Sequence, residues 1–153
     1  MSKMSKLNRL AERMNRTIME RVGCMLAHAK LPKIYWVEAL IMVVYIINRS
    51  PLLMFEGGIP QKVWSGKEVS YRHLKVFCCL AYVHITKDQR GKLDLKSRPY
   101  IFPGYDKDEF GYLLWNLIDK KVIMSRDIVF MEEKTIVDWE IEKIVSTTQL
   151  TEN

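Results

Sequence analysis

Apolar residues at Leu7, Leu10, Ala11, Met14, Ile18, Val22, Met25 and Ala29 recur every three or four positions. At about 100° per residue they fall on one stripe, so the spacing predicts an amphipathic helix over residues 7–29. In "LPKIYW", Pro32 has no amide hydrogen to donate and cannot continue that helix, and a second one is expected from near Lys33. Its run "IYWVEALIMVVYII", Ile34 to Ile47, is apolar almost all round and predicts a helix covered on most sides. The run is shorter than the roughly 18–20 residues of a membrane span, and Glu38 interrupts it. "NRSP", Asn48 to Pro51, stops this helix. After a loop holding Gly57 and Gly58, Pro60 suits the first turn of a short helix in "IPQKVWSG" and Gly66 suits its end.

From about His73 the pattern changes to short runs rich in aromatic and branched residues: "HLKVFCCLAYVHI", "PYIFPGY", "FGYLLWN" and "KKVIMSRDIVF". Polar or Gly-containing turns separate them, and "NLIDKK" fits a hairpin connection. Pro103, which donates no ladder hydrogen bond, is expected at an edge or a bulge. Four or five closely spaced strands predict a small antiparallel barrel. The fold class is therefore α+β, N-terminal helices followed by a small antiparallel β-barrel. The boundaries are 1–65 for the helical part, 66–132 for the barrel and 133–153 for an acidic tail, expected to fray.

Charge adds a direction to this picture. The net charge is +6, and residues 1–30 hold seven Lys or Arg against two acids, while residues 131–153 hold six acids against two lysines. The basic end is the candidate for phosphate contact, with a merely solvated helix face as the alternative. Arg9, Arg13 and Arg16, with Lys3 and Lys6, form the first candidate set. Lys92, Lys96 and Arg98 in "KDQRGKLDLKSR" form a second, diluted by Asp88 and Asp94. Neither offers a reader of base edges, so weak, sequence-independent nucleic-acid binding is expected. Glu12, off the apolar stripe, forms an i, i+4 pair with Arg16 on paper, which accounts for both as helix-surface charges. Composition is 48% apolar and 27% charged, that of a globular chain. The start lacks the apolar stretch of a signal peptide. Three cysteines, two of them adjacent (Cys78 and Cys79), fit neither a disulfide framework nor a metal spacing. An intracellular location, nucleus or cytoplasm, with no membrane association, is the expectation.

The series "AERMNRT", "LPKIYWVEAL", "YIINRSP", "WSGKEVSYRHLKVFCCLAYVHI", "KLDLKS", "IFPGY", "GYLLWN" and "KVIMSRDIVF" resembles, in colinear order from about Asn8 to Phe130, the integrase region of copia-type retrotransposon Pol polyproteins. The resemblance implies that residues to about Ser65 are the last helical part of a ribonuclease-H-like integrase core, and that residues from about Lys67 to Glu132 are the small SH3-like barrel that follows it. In that family three carboxylates hold two divalent metals, Mg or Mn, and the Glu of the "AER" motif is the third. Position for position that is Glu12.

Two metals about 3.5–4 Å apart activate the attacking oxygen and stabilise the leaving oxygen at a phosphodiester, and a single carboxylate cannot hold both. The two Asp that would complete the set belong to strands upstream of the helix with which this sequence opens. No metal site and no cofactor are expected in this chain. Asp88, Asp94, Asp106, Asp108 and Asp119 read as turn formers, and His28, His73 and His84 as scattered structural residues. Compared with the family pattern, Arg9 and Cys78 each stand where Gly is usual and Pro103 where an aliphatic residue is usual. Three function classes follow: a truncated integrase piece that contacts nucleic acid without cutting or joining it, part of an active nucleotidyltransferase if the Asp residues are supplied from elsewhere, or an inert or protein-interacting module. Losing the covering sheet would leave apolar helix surface exposed and favour self-association.

Overall fold

A computed structural model of the chain describes residues 3–53, 56–93, 96–105 and 111–151. It divides into two compact units, Met1–Leu74 and Lys75–Asn153.

In the first unit, helix α1 spans Lys3–His28, one turn earlier at its start than the apolar stripe predicts. It ends in a left-handed residue, Lys30 at φ 55°. The N–H groups of Lys30 and Leu31 donate back to the carbonyls of Ala27 and Leu26 at 3.1 and 3.0 Å, which satisfies carbonyls that the helix end would otherwise orphan. Pro32 then blocks any continuation. A 3-10 turn, Lys33–Tyr35, leads into α2, Trp36–Ile47. The covered side of α2 carries Ala39, Met42, Val43 and Ile47, and the end of α1 buries Val22, Leu26 and Ala29. The expectation that α2 is covered on most sides does not hold: Val37, Ile41 and Val44 stay exposed, because no described element lies over that side. Helix α3, Pro60–Ser65, has Pro at its start and Gly66 at φ 69° as its cap.

The first unit also extends beyond the expected boundary at residue 65. Tyr71 Oη donates to the Arg49 carbonyl at 2.9 Å, and Tyr45 Oη and His73 Nε2 share a hydrogen bond of 2.7 Å. The Arg49 guanidinium lies 3.5 Å from the centre of the Tyr45 ring. These contacts tie Tyr71 and His73 to the C-terminal end of α2 and the residues just after it.

The second unit holds β1 (Cys79–His84), a 3-10 turn (Lys87–Gln89), β2 (Ser97–Tyr105), β3 (Tyr112–Asn116), β4 (Val122–Ser125), β5 (Ile128–Thr135) and α4 (Ile136–Thr151). The five strands form one antiparallel sheet in the order β4-β3-β2-β1-β5, and no ladder joins β4 to β5 among the described residues. Alternation sends Phe102, fully buried, into an aromatic cluster where it meets Tyr105, Tyr112 and Phe130 edge-on at 5.0–5.7 Å. Pro103 sits in a central strand at the one-residue bulge between the Ile101–Trp115 and Gly104–Leu113 pairs, where its missing amide hydrogen breaks no ladder bond. In the β3–β4 hairpin the buried Asn116 side chain accepts from the Ile118 and Asp119 N–H groups at 2.8 and 3.0 Å and donates to Asp119 Oδ2 at 2.9 Å. Asn116 thus replaces the turn's missing backbone partners.

The residues expected to fray after 132 instead finish β5 and form α4. Thr135 caps that helix: its N–H and its hydroxyl both donate to Asp138 Oδ2, at 2.8 and 2.7 Å. Lys134 bonds Glu142 at 2.6 Å one turn further on. Glu132 accepts from Lys75 Nζ and from the Val76 N–H at 3.2 and 3.1 Å, which anchors the strand entering the sheet.

Candidate nucleic-acid interface

On α1, Lys6, Arg9, Arg13 and Arg16 lie on the side opposite the apolar stripe. Lys6, Arg9, Arg13 and Arg16 are all exposed, and at 100° per residue they fall in an arc about 80° wide. The first turn of α1 contains no acid. The helix dipole, positive at this end, therefore adds to the positive field of the side chains. Lys3 belongs to α1 by its backbone, and its side chain lies outside the described residues.

Glu12 is exposed at the margin of this basic arc. The expected pairing with Arg16 is not formed: no ion pair joins the two among the described residues. An i, i+4 pair on an exposed helix is worth only a few tenths of a kcal/mol, so two solvated side chains lose little by staying apart. Among the described residues no three His, Cys, Asp or Glu stand together as a group that could hold a metal ion. The described residues of this chain therefore do not by themselves fit a two-metal centre.

The second basic set is in the second unit. Lys92 and Lys96 are exposed ahead of β2, and Arg98 is exposed on it. Arg98 faces Asp119 at 3.7 Å across the sheet, while Asp94, Asp106 and Asp108 lie outside the described residues. Sequence spacing gives no sign of the Arg98–Asp119 pair, because Arg98 is on β2 and Asp119 is in the β3–β4 turn, 21 positions later. Asp119, a turn former by sequence, serves both the hairpin turn, through Asn116, and Arg98. Both sets therefore carry acids: the helix set has Glu12 at its margin and the exposed Glu20 one turn after Arg16, while in the strand set Arg98 is paired with Asp119.

The cysteines offer no nucleophile in the sheet. Burial, reinforced by the Glu132 carboxylate, pushes the Cys79 thiol up to about 12, so it holds its proton at neutral pH. Cys78 beside it is buried, and Cys24 on α1 is exposed. No described helix is long and apolar enough to cross a membrane.

Comparison with known proteins places these features in a family. The family model for the retroviral polymerase SH3-like domain matches residues 79–143, the sheet and the first half of α4. The chain is 58% identical over 127 residues to the retrovirus-related Pol polyprotein from transposon TNT 1-94 of Nicotiana tabacum, covering 83% of this chain and 10% of that one. It is 36% identical over 125 residues to the corresponding polyprotein from transposon RE1 of Arabidopsis thaliana, covering 82% of this chain and 8% of that one. An uncharacterized mitochondrial protein of Arabidopsis thaliana is 36% identical over 85 residues, 56% of this chain and 68% of its own length. No solved structure matches. The chain spans about a tenth of the length of the Pol polyproteins it matches. It belongs to the retrovirus-related Pol polyproteins of transposons and carries their retroviral-polymerase SH3-like domain.

Proposed function

We propose that this chain is a nucleic-acid-contacting part of a copia-type integrase, that it binds DNA weakly and without sequence preference, and that on its own it joins no strands. The observation that carries the reading is the basic side of α1: four exposed cations, Lys6, Arg9, Arg13 and Arg16, on one face of a helix whose first turn lacks acids. Long flexible cations on a convex surface neutralise phosphates and read no base edges, so affinity belongs in the non-specific range of about 10⁻⁴–10⁻⁶ M. Glu12 is the one residue matching a catalytic carboxylate of the integrase pattern, and one carboxylate does not hold two metals. Binding of a labelled duplex across a salt series, for the native chain and for Arg9→Ala/Arg13→Ala/Arg16→Ala, tests the reading.

A second reading keeps the same helix inside an active nucleotidyltransferase. Glu12 is exposed and available to metal ions held by carboxylates from another segment. Adding the upstream polyprotein segment in trans and assaying 3′-end processing separates this reading from the first.

A further inference from the structure

We infer that the second unit carries its own phosphate-contacting surface, built from the start of β2 and the β3–β4 hairpin, and that Asp119 holds the affinity of this surface down. The inference rests on the reading that the chain contacts nucleic acid, and it adds a site separate from α1. Strand pairing assembles the surface. Tyr100 pairs with Asn116, and the Asn116 N–H donates to the Lys121 carbonyl at 2.8 Å, which continues the β3–β4 ladder beyond the Trp115–Val122 pair. Side chains alternate along a strand, so Arg98, two residues before Tyr100, lies on the same face as Asn116 and Lys121. The ion pair between Arg98 and Asp119 shows that the hairpin turn reaches the start of β2. Lys96 is exposed at the entry to β2, where its carbonyl accepts from the Ile85 N–H at 2.9 Å, and Lys120 is exposed in the turn. Two cations from one stretch of sequence and two from another thus stand at one end of the sheet.

The hairpin is held in one form. The Asn116 side chain accepts from the Ile118 and Asp119 N–H groups, the Lys120 N–H donates to the Asn116 carbonyl at 3.0 Å, and Lys120 closes the turn with a left-handed backbone, φ 52°. The lysines are therefore presented on a fixed frame, and little backbone order is lost on meeting a ligand. Two inter-strand spacings, about 10 Å, separate β2 from β4. The cations are spread along a line and not gathered on a point, which suits a polymer of phosphates better than a single anion.

Among the described residues, Asp119 is the acid paired within this set. Its carboxylate stands 3.7 Å from the Arg98 guanidinium, longer than a hydrogen bond, and both side chains are half exposed. Such a pair is weak enough for a phosphate to replace, and the guanidinium then gains short charge-assisted bonds. Asp119 is also tied to the turn through Asn116 Nδ2 at 2.9 Å, so its charge stays beside the incoming phosphate. The carboxylate lowers affinity at a surface that the turn holds ready, and it keeps this contact weaker than that of α1.

Titration of a labelled duplex with the full chain over a salt series tests the inference. The variants are Asp119→Asn, Lys120→Ala/Lys121→Ala and, as a control for net charge, Glu140→Gln on α4, each made in the native chain and in Arg9→Ala/Arg13→Ala/Arg16→Ala. Asparagine keeps an oxygen for the Asn116 amide, so the turn should persist and the urea midpoint should hold. Asp119→Asn should tighten binding by up to about fivefold in both backgrounds and steepen the logarithmic salt slope by up to about 0.9, one more phosphate neutralised. Lys120→Ala/Lys121→Ala should weaken binding and make the slope shallower. A gain from Asp119→Asn no larger than that from Glu140→Gln, or lysine changes that leave the slope as it was, would overturn the inference. So would an equal gain toward polyglutamate, which would assign the surface to acidic protein segments. If the helix substitutions abolish binding and Asp119→Asn restores none, this inference falls and α1 stands as the interface. If the helix substitutions change nothing while Asp119→Asn tightens binding, the assignment to α1 falls and this one stands.

Discussion

The Cys78 N–H donates to the Phe102 carbonyl at 2.8 Å, and to make that bond Cys78 adopts φ 54°. It holds this left-handed backbone while buried at the point where the chain enters β1. For a residue with a Cβ this conformation costs roughly 1–2 kcal/mol, a cost that glycine does not bear. This gives a physical reason for Gly at this position in the family pattern that "FCC" departs from.

Ordinarily Gly is less stable than Ala by roughly 0.5–1 kcal/mol. At this position the order should reverse, with Cys78→Gly more stable than Cys78→Ala by about 1 kcal/mol in urea unfolding. Equal midpoints, or Ala above Gly, would show that the turn is not held in the left-handed form.

Alkaline stability should report Cys79. In the unfolded chain its thiol loses its proton near the ordinary value of 9.0, whereas in the folded chain burial and Glu132 hold the proton to about 12. Between those values the unfolded state binds fewer protons than the folded one, so stability is full below pH 9 and falls as pH rises toward 12. Lys134, raised by its hydrogen bond to Glu142 and by that carboxylate's charge, works in the same direction: its contribution is lost as pH rises through the folded value. Being exposed, it adds little. Cys79→Ala should flatten the pH 9–12 slope relative to the native chain. An unchanged slope would assign it to other groups.

Much of the helical architecture is readable from spacing and from three residues. Pro32, Pro60 and Gly66 stop or start helices because of their own backbone chemistry, so the end of α1 and both ends of α3 can be placed without tertiary information, whereas the start of α1 lies one turn ahead of the apolar stripe. The strand runs are equally local, although spacing alone leaves their number at four or five and Pro103 at either an edge or a bulge. The boundary between the units is not: residues 66–74 join the first unit through Tyr45 and His73, which are 28 positions apart. Helix α4 is hidden because "IVDWEIEKIV" suits strand and helix alike. One local signal exists, the Thr135-x-x-Asp138 cap, and the acidic composition around it masks it. For the interface, helical spacing is enough to place Arg9, Arg13 and Arg16 on one face, while the partial neutralisation of Arg98 depends on the fold bringing Asp119 to it.

Glu12 should be dispensable in chemistry attempted by this chain alone. With Mg or Mn and a processed donor duplex, native protein and Glu12→Gln are expected to give the same background level of strand transfer. Product that forms with the native chain and vanishes in Glu12→Gln would mean that a metal centre assembles without the upstream segment.

DNA affinity measured against salt concentration tests the assignment of the interface to α1 most directly. The native chain should bind less tightly as salt rises, and steeply so, with little difference between a duplex and its scrambled sequence. Replacing Arg9, Arg13 and Arg16 together by Ala should weaken binding and make the logarithmic salt slope shallower, by up to about 0.9 for each phosphate that is no longer neutralised. The matching triple change at Lys92, Lys96 and Arg98 should have the smaller effect. Affinity and slope unchanged by the helix substitutions would contradict that assignment.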